Sequence, residues 1–135
     1  MRIIGFNLTK ILVEKQEKFG EKLQVNQNIN IKNISEEKIT ITENKALKIA
    51  FNLSITYSEN FAKMEFEGTI LVLPEKEEFK KILESWKNKN IPETVRVPLF
   101  NFIMDKCNVK ALHFEDELGL PFHMPMPKLT LEPKN

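Results

Sequence analysis

Between Leu47 and Tyr57 every second residue is large and apolar: Leu47, Ile49, Phe51, Leu53, Ile55 and Tyr57 alternate with Lys48, Ala50, Asn52, Ser54 and Thr56. A period of two sends successive side chains to opposite faces of an extended strand, so this stretch is a strand with one buried face. After the short polar connection Ser58-Glu59-Asn60, the run from Phe61 to Leu73 resumes the pattern, with Ala62, Met64, Phe66, Gly68, Ile70 and Val72 sharing a face. A parallel return needs a crossover of about a dozen residues or more, so the two strands form an antiparallel hairpin. Leu71 and Leu73 make the far end of the second strand apolar on both sides. Something must cover that end, and the helices later in the chain are the candidates.

Two more strands precede the hairpin. From Ile3 to Val13 both alternating sets carry apolar residues: Ile3, Ile11 and Val13 on one, Ile4, Phe6, Leu8 and Leu12 on the other. That pattern predicts a strand covered on both faces. The polar segment Glu14 to Lys22, with Gly20, is the expected turn. Leu23, Val25, Ile29 and Ile31 then oppose Asn26, Asn28, Asn30 and Lys32, which predicts a strand with one wet face. Asparagine is depleted in strands, so its row places this one at an outer or irregular position. Ile39 and Ile41 form a short extension before a turn at Glu43-Asn44-Lys45.

Helices come last. Pro74-Glu75-Lys76-Glu77-Glu78 is a helix start, with proline near the first position and acids in the first turn. Phe79, Ile82, Leu83 and Trp86 come next at i, i+3, i+4 and i+7, one apolar stripe. A second helix opens at Ile91-Pro92-Glu93, with Val95, Leu99, Phe102, Ile103 and Lys106 along one side and Val97, Phe100 and Met104 elsewhere. Pro98 should bend it or delay its start. Strands first and helices last predict an α+β fold: an antiparallel sheet of about four main strands, then two helices packed on one face. The 135 residues fit a single domain, 1–135.

Twenty basic and nineteen acidic residues are interleaved along the chain. No basic excess or stripe speaks for nucleic acid. No run approaches the roughly 20 apolar residues that cross a bilayer, and the N-terminus lacks the features of a secretory signal. The lone cysteine, Cys107, leaves no intrachain disulfide and fits a reducing compartment, so a cytoplasmic location without membrane contact is expected.

Nothing in the chain writes an enzyme. His113 and His123 have no cysteine pair or other converging ligands and read as surface or loop histidines, so no metal is expected. Cys107 lacks a base and an orienting partner and reads as a small core residue. No serine stands in a G-x-S-x-G turn, and four glycines write neither a phosphate loop nor a dinucleotide fingerprint. No cofactor is expected. Glu115-Asp116-Glu117 reads as a solvated acidic loop.

The segment Leu118 to Met126 stands out instead. Leu118, Leu120, Phe122, Met124 and Met126 are interleaved with Pro121, Pro125 and Pro127, which deny it ladder hydrogen bonds and hold it extended. Methionine adapts to many partners, which suits a promiscuous holding surface. The alternative is that the segment packs across its own sheet or a sister subunit. Phe61 and Phe66, with Phe51 and Tyr57, could be core or could floor a groove. The apolar excess of the second helix argues for subunit contact through Val95, Leu99, Phe102 and Ile103.

In this order of elements the chain resembles the bacterial export chaperone SecB and its relatives. ALKIAFNLSITYSENFAKMEFEGTILVL resembles that family's central hairpin, including Gly68 followed by Ile70 and Leu71. IPETVRVPLFNFIMDKC resembles the start of its long helix, with Pro92 and Pro98 near the family's two prolines, and ELGLPFHMPMPKLTL resembles the loop after that helix. The resemblance spans nearly the whole chain, in pattern more than identity. With the sequence stopping at Asn135, the family's second C-terminal helix is expected to be missing or reduced, and its acidic tail is absent. The resemblance implies an ATP-independent holdase of the protein-transport type, a homotetramer built as a dimer of dimers. It would bind unfolded polypeptide clients on apolar grooves, with client contacts at Leu118, Leu120, Phe122, Met124, Met126, Phe61 and Phe66. Two rival expectations are a binder of an apolar small molecule in a sheet–helix pocket and a chaperone dedicated to one partner, such as a toxin–antitoxin pair.

Overall fold

The structure is a computed structural model that describes residues 1–17, 24–39 and 45–131, apart from the side chain of Glu59. Most of the expected turn at Glu14–Lys22, Leu23, Ile41, and Glu43 and Asn44 of the second turn lie outside the described residues.

The hairpin forms as its alternation dictates. Strands β3 (Lys45–Tyr57) and β4 (Ala62–Leu73) pair antiparallel across a 3-10 turn at Ser58–Asn60, where Asn60 adopts a left-handed φ of 56°. The register sets Ile49 opposite Ile70, Leu53 opposite Phe66 and Ile55 opposite Met64, so the two apolar faces merge into one. All of these residues are buried. Strand β1 (Arg2–Lys15) flanks β4 and strand β2 (Val25–Lys38) flanks β3, giving the antiparallel order β1-β4-β3-β2. The asparagine row lies where its composition placed it, on an edge: Asn26, Asn28 and Asn30 of β2 oppose Thr56, Ser54 and Asn52 on the polar face.

β1 departs from the two-faced reading. It is an edge strand without a fully buried residue, and its register against β4 shifts between Ile3 and Gly5 and again between Leu8 and Lys10. Each shift adds a residue and reverses the parity of the strand beyond it. Ile3, then Phe6 and Leu8, then Ile11 and Val13 therefore oppose Val72, Ile70, Gly68, Phe66 and Met64, all on the core face. Both alternating sets are apolar because two bulges swap them, not because both faces are covered. A third shift, between Ile31 and Asn33 of β2, puts Ile34 opposite Ile49 by the same device.

Gly68 fixes how closely β1 approaches. A Cβ there would lie 2.4 Å from the Asn7 carbonyl oxygen and 3.1 Å from the Phe51 ring, so backbone occupies the space a side chain would need. The Phe51 ring stacks on Phe6 at 5.8 Å, and Phe6 meets Phe102 edge-on at 5.7 Å. One glycine thus seats an aromatic series running from β4 through β3 and β1 to the second helix.

Helix α1 (Lys76–Lys87) buries Ile82, with Phe79, Leu83 and Trp86 half-buried beside it, as the stripe predicts. Helix α2 (Glu93–Leu118) runs through Pro98, which stands on an exposed turn, and on past Cys107. Its buried residues are Val95, Leu99, Ile103, Cys107, Ala111 and Glu115, each four beyond the last. Such a row is inclined to the helix axis by about 26°, so buried positions wind round the helix and apolar residues appear on several sides. The apolar residues of the row and Ile82 belong to the same core as the apolar sheet face. The fold is α+β, a four-stranded antiparallel sheet followed by two helices.

Gly68→Ala is expected to cost about 1–3 kcal/mol in urea denaturation, the range for forced overpacking, with the β1 amides near Asn7 losing exchange protection first. Gly5→Ala, whose Cβ would meet only the Leu71 side chain at 3.3 Å, should cost less. Equal tolerance of the two would remove the close approach as the determinant of β1's position.

Candidate functional site

α2 takes in the acidic triplet that the sequence assigns to a loop, and ends at Leu118. Gly119 takes φ 66°, the Leu120 N–H donates to the Glu115 carbonyl at 2.8 Å, and the Gly119 N–H donates to the Asp116 carbonyl at 3.3 Å. This pair of bonds turns the chain off the helix and buries Leu120. The Lys15 ammonium, at the end of β1, donates to the Leu118 carbonyl at 2.5 Å. Leu118 is therefore the last residue of α2, and Glu115-Asp116-Glu117 form its final turn instead of a solvated loop.

Glu115 is also fully buried, being the last member of the row that packs α2 on the sheet. A carboxyl group there requires partners. Its Oε2 meets the Tyr57 hydroxyl, and its Oε1 lies 2.8 Å from His123 Nδ1. His123 Nε2 is 2.9 Å from Asn108 Oδ1, which also accepts from Gln27 Nε2 at 2.7 Å. The Tyr57 hydroxyl is in addition 2.7 Å from the Pro121 carbonyl oxygen. The His123 side chain is 1% exposed. His123 is thus a loop histidine with a buried ring, whereas His113 sits on the surface with its ring against Phe114. Burial, reinforced by the Glu115 hydrogen bond and charge, pushes the Tyr57 phenol far above its ordinary range.

The network ties β2, β3 and α2 to residues 121 and 123 of the segment that the sequence marks as a holding surface. Beyond it the segment has no regular secondary structure, and Phe122, Met124, Met126, Leu129 and Leu131 are exposed. Of the expected client-binding residues, Phe122, Met124 and Met126 lie on this surface and Leu118 is half-buried at the helix end. Leu120, Phe61 and Phe66 do not join them: their side chains lie in the core, with Phe66 at 0% exposure. Three of the four expected subunit contacts need the same correction: Val95, Leu99 and Ile103 are buried within this chain. Phe102 is half-buried, with its ring edge-on against Phe6. The most regular apolar stripe of α2 faces its own sheet, so it offers nothing to a second chain. The apolar residues that α2 does present are Val97 and Val109, 57% and 69% exposed.

The other face of the sheet is polar. Asn52 donates to Glu65 at 2.6 Å and Lys32 to Glu67 at 2.5 Å, each the foremost cause holding that carboxylate below its usual range. Cys107 lies in the buried row of α2, and burial pushes its thiol up to about 11. A solvent-open cleft of about 690 Å³ sits where β4 hands over to α1, lined by Leu73, Pro74 and Phe79 together with charges of both signs, Lys45, Lys76, Lys80, Glu75 and Glu77. Among the described residues no cluster of side chains could hold a metal, and no helix is long and apolar enough to cross a membrane.

No protein-family model matches the chain, and no curated protein does. Among solved structures it is similar to the Mycobacterium tuberculosis SecB-like chaperone Rv1957 in complex with a ChAD peptide from the Rv1956 HigA1 antitoxin. The likeness covers 98% of this chain and 92% of that one at 15% identity, with a TM-score of 0.48. At those values it assigns no role to any residue here.

Tyr57 is the chain's single tyrosine, so phenolate absorbance reports on it alone. The folded protein should show no phenolate at about pH 10, where an exposed tyrosine is half ionised. Because folding raises this pKa, the stabilisation is complete below the unfolded value and declines as pH rises beyond it. Alkaline absorbance should therefore appear together with unfolding. Phenolate formation in the intact fold near pH 10 would contradict the buried bond to Glu115.

Proposed function

We propose that this chain is a SecB-like, nucleotide-independent chaperone that holds unfolded or extended polypeptide on the apolar row of its 119–131 segment. The observation that carries the reading is the exposure of Phe122, Met124, Met126, Leu129 and Leu131 on one anchored, proline-bearing segment. Apolar area buried against a client contributes ~25 cal/mol per Å², and methionines conform to side chains of many shapes. Contacts of this type are individually weak and tolerant of sequence, which is what holding without a cofactor requires. The described residues share one core, which supports reading 1–135 as a single SecB-like domain. The edge strands β1 and β2, together with Val97 and Val109 on α2, leave surface for a homo-oligomer, which we take to be a cytoplasmic dimer of dimers.

The purified protein should suppress aggregation of an unfolding model client at near-stoichiometric ratio. Phe122→Asp combined with Met124→Asp should weaken client affinity by roughly tenfold or more, about 1.4 kcal/mol, as expected for loss of anchor residues. Native mass spectrometry should show the oligomer unchanged. Absence of suppression by folded wild type would sink the reading. Dissociation or unfolding of the double variant would make the segment structural, and suppression restricted to a single partner protein would make the chaperone a dedicated one.

A further inference from the structure

The polar face of the sheet changes character at one end. Around Glu65 and Glu67 it is a mesh of ion pairs with Lys10, Lys63 and Lys32. Past Thr69 the same face of β4 carries Leu71 and Leu73, which make that end of the strand apolar on both sides. The helices do not enclose them. α1 and α2 join the core on the opposite face, and neither leucine belongs to that core or to the side chains packed against it. Both are only half-buried. Each also lines a hollow. Leu71 lies between Gly5 of β1 and Lys48 of β3, and a Cβ on Gly5 would stand 3.3 Å from that of Leu71. The missing side chain leaves that side of Leu71 open, in a depression of about 320 Å³ bordered by Thr69, Lys48 and Glu37. Leu73 lines the cleft of about 690 Å³ that continues to Phe79 on α1.

We propose that this end of the sheet is a second holding site for extended polypeptide, which seats alternate apolar side chains on Leu71 and Leu73. The inference rests on the chaperone function proposed above and adds to it a site that the 119–131 segment does not contain. Three features select that occupant. Leu71 and Leu73 share a face two residues apart, about 7 Å, which is also the interval between alternate side chains of an extended chain. Two half-buried leucines fall far short of the about 800 Å² that each partner gives to a stable protein interface, so a second copy has too little to grip. A single segment of strand width needs no more. Lys45, Lys48, Lys76 and Lys80 stand with Glu37, Glu75 and Glu77 around the two hollows. With both signs present, neither a polyanion nor a polycation is favoured, and an uncharged apolar stretch meets no repulsion. The two holding sites are also separable. Leu71 lies about 30 Å along β4 from Ala62, which pairs with Lys15 beside the anchor of the 119–131 segment. A heptapeptide is at most about 25 Å long, so one seated on Leu71 does not reach that anchor.

The test is an NMR titration of the full chain with a capped heptapeptide of serine and threonine that carries leucine at its third and fifth positions. Saturable shifts are expected at the Leu71 and Leu73 methyl groups and the Thr69 amide. A second heptapeptide has its two leucines adjacent, which an extended chain points to opposite faces, and should bind about tenfold more weakly. This comparison on the wild type needs no variant. Leu71→Thr combined with Leu73→Thr keeps strand propensity and removes no core side chain, so the Ile49 and Ile70 amides should not move. Affinity of that variant for the first peptide should fall about tenfold or more. Absence of saturable shifts at the two leucines, equal binding of both peptides, or undiminished binding by the double variant would overturn the site. So would shifts at Leu71 and Leu73 that follow protein concentration alone, because the occupant is then a second copy. Aggregation suppression by the wild type separates this site from the function it rests on. Suppression without peptide shifts overturns the site and leaves the 119–131 segment as the holding surface. Peptide shifts without suppression support the site and overturn the chaperone function.

Discussion

The missing side chain at Gly68 is the constraint on which the rest of the arrangement depends. It lets the Asn7 carbonyl come to where a Cβ would stand, and it leaves the Phe51 ring to fill the core face at that point. Phe6 can stack on Phe51 only because a bulge before it has turned β1's parity, and Phe102 reaches Phe6 only from a helix lying across the same face. The position of α2 over the sheet is therefore tied to one close backbone approach. Once α2 is so placed, its four-residue row continues to Glu115, and a carboxyl arrives in the core.

That carboxyl separates two kinds of polar interaction in this molecule. On the open face of the sheet, the pairs Lys10–Glu65, Lys63–Glu65 and Lys32–Glu67 are solvated, and interactions of that type contribute little each. Under α2 the side chains of Glu115, His123 and Tyr57 are buried, so a broken contact among them leaves a desolvated donor or acceptor. The exposed mesh keeps one face soluble. The buried network specifies a geometry: where the chain turns after Leu118, which side of the segment faces inward, and which residues stay outside.

Legibility tracked periodicity. β3 and β4 carry no bulge between them, and Leu47 to Val72 could be assigned to a face residue by residue. β1 could not, because an inserted residue changes parity without altering composition, and Ile3, Phe6 and Ile11 read as two faces when they are one. In α2 the stripe was visible but its destination was not: Val95, Leu99 and Ile103 are what a helix shows to its own sheet or to a neighbour, and pattern alone does not distinguish them. Glu115 and His123 were missed for a different reason. An acidic triplet and an isolated histidine look solvated in composition. The overlooked signal was spacing, since Glu115 succeeds Leu99, Ile103, Cys107 and Ala111 at the same interval of four, which makes a carboxyl the next member of a core row.

The prolines explain why the segment needs such a network. Pro121, Pro125 and Pro127 have no N–H to donate, so a strand-like ladder along the sheet edge is closed to this stretch. Attachment has to come from groups that a proline does not remove: a carbonyl, which Pro121 still offers to Tyr57, and a side chain, which His123 offers to Glu115 and Asn108. Past that anchor every residue from Met124 to Leu131 is exposed, and Phe122, Met124, Met126, Leu129 and Leu131 supply the apolar surface. The hold on the segment thus lies at its start, in one carbonyl and one imidazole, and the apolar side chains beyond it are left to solvent.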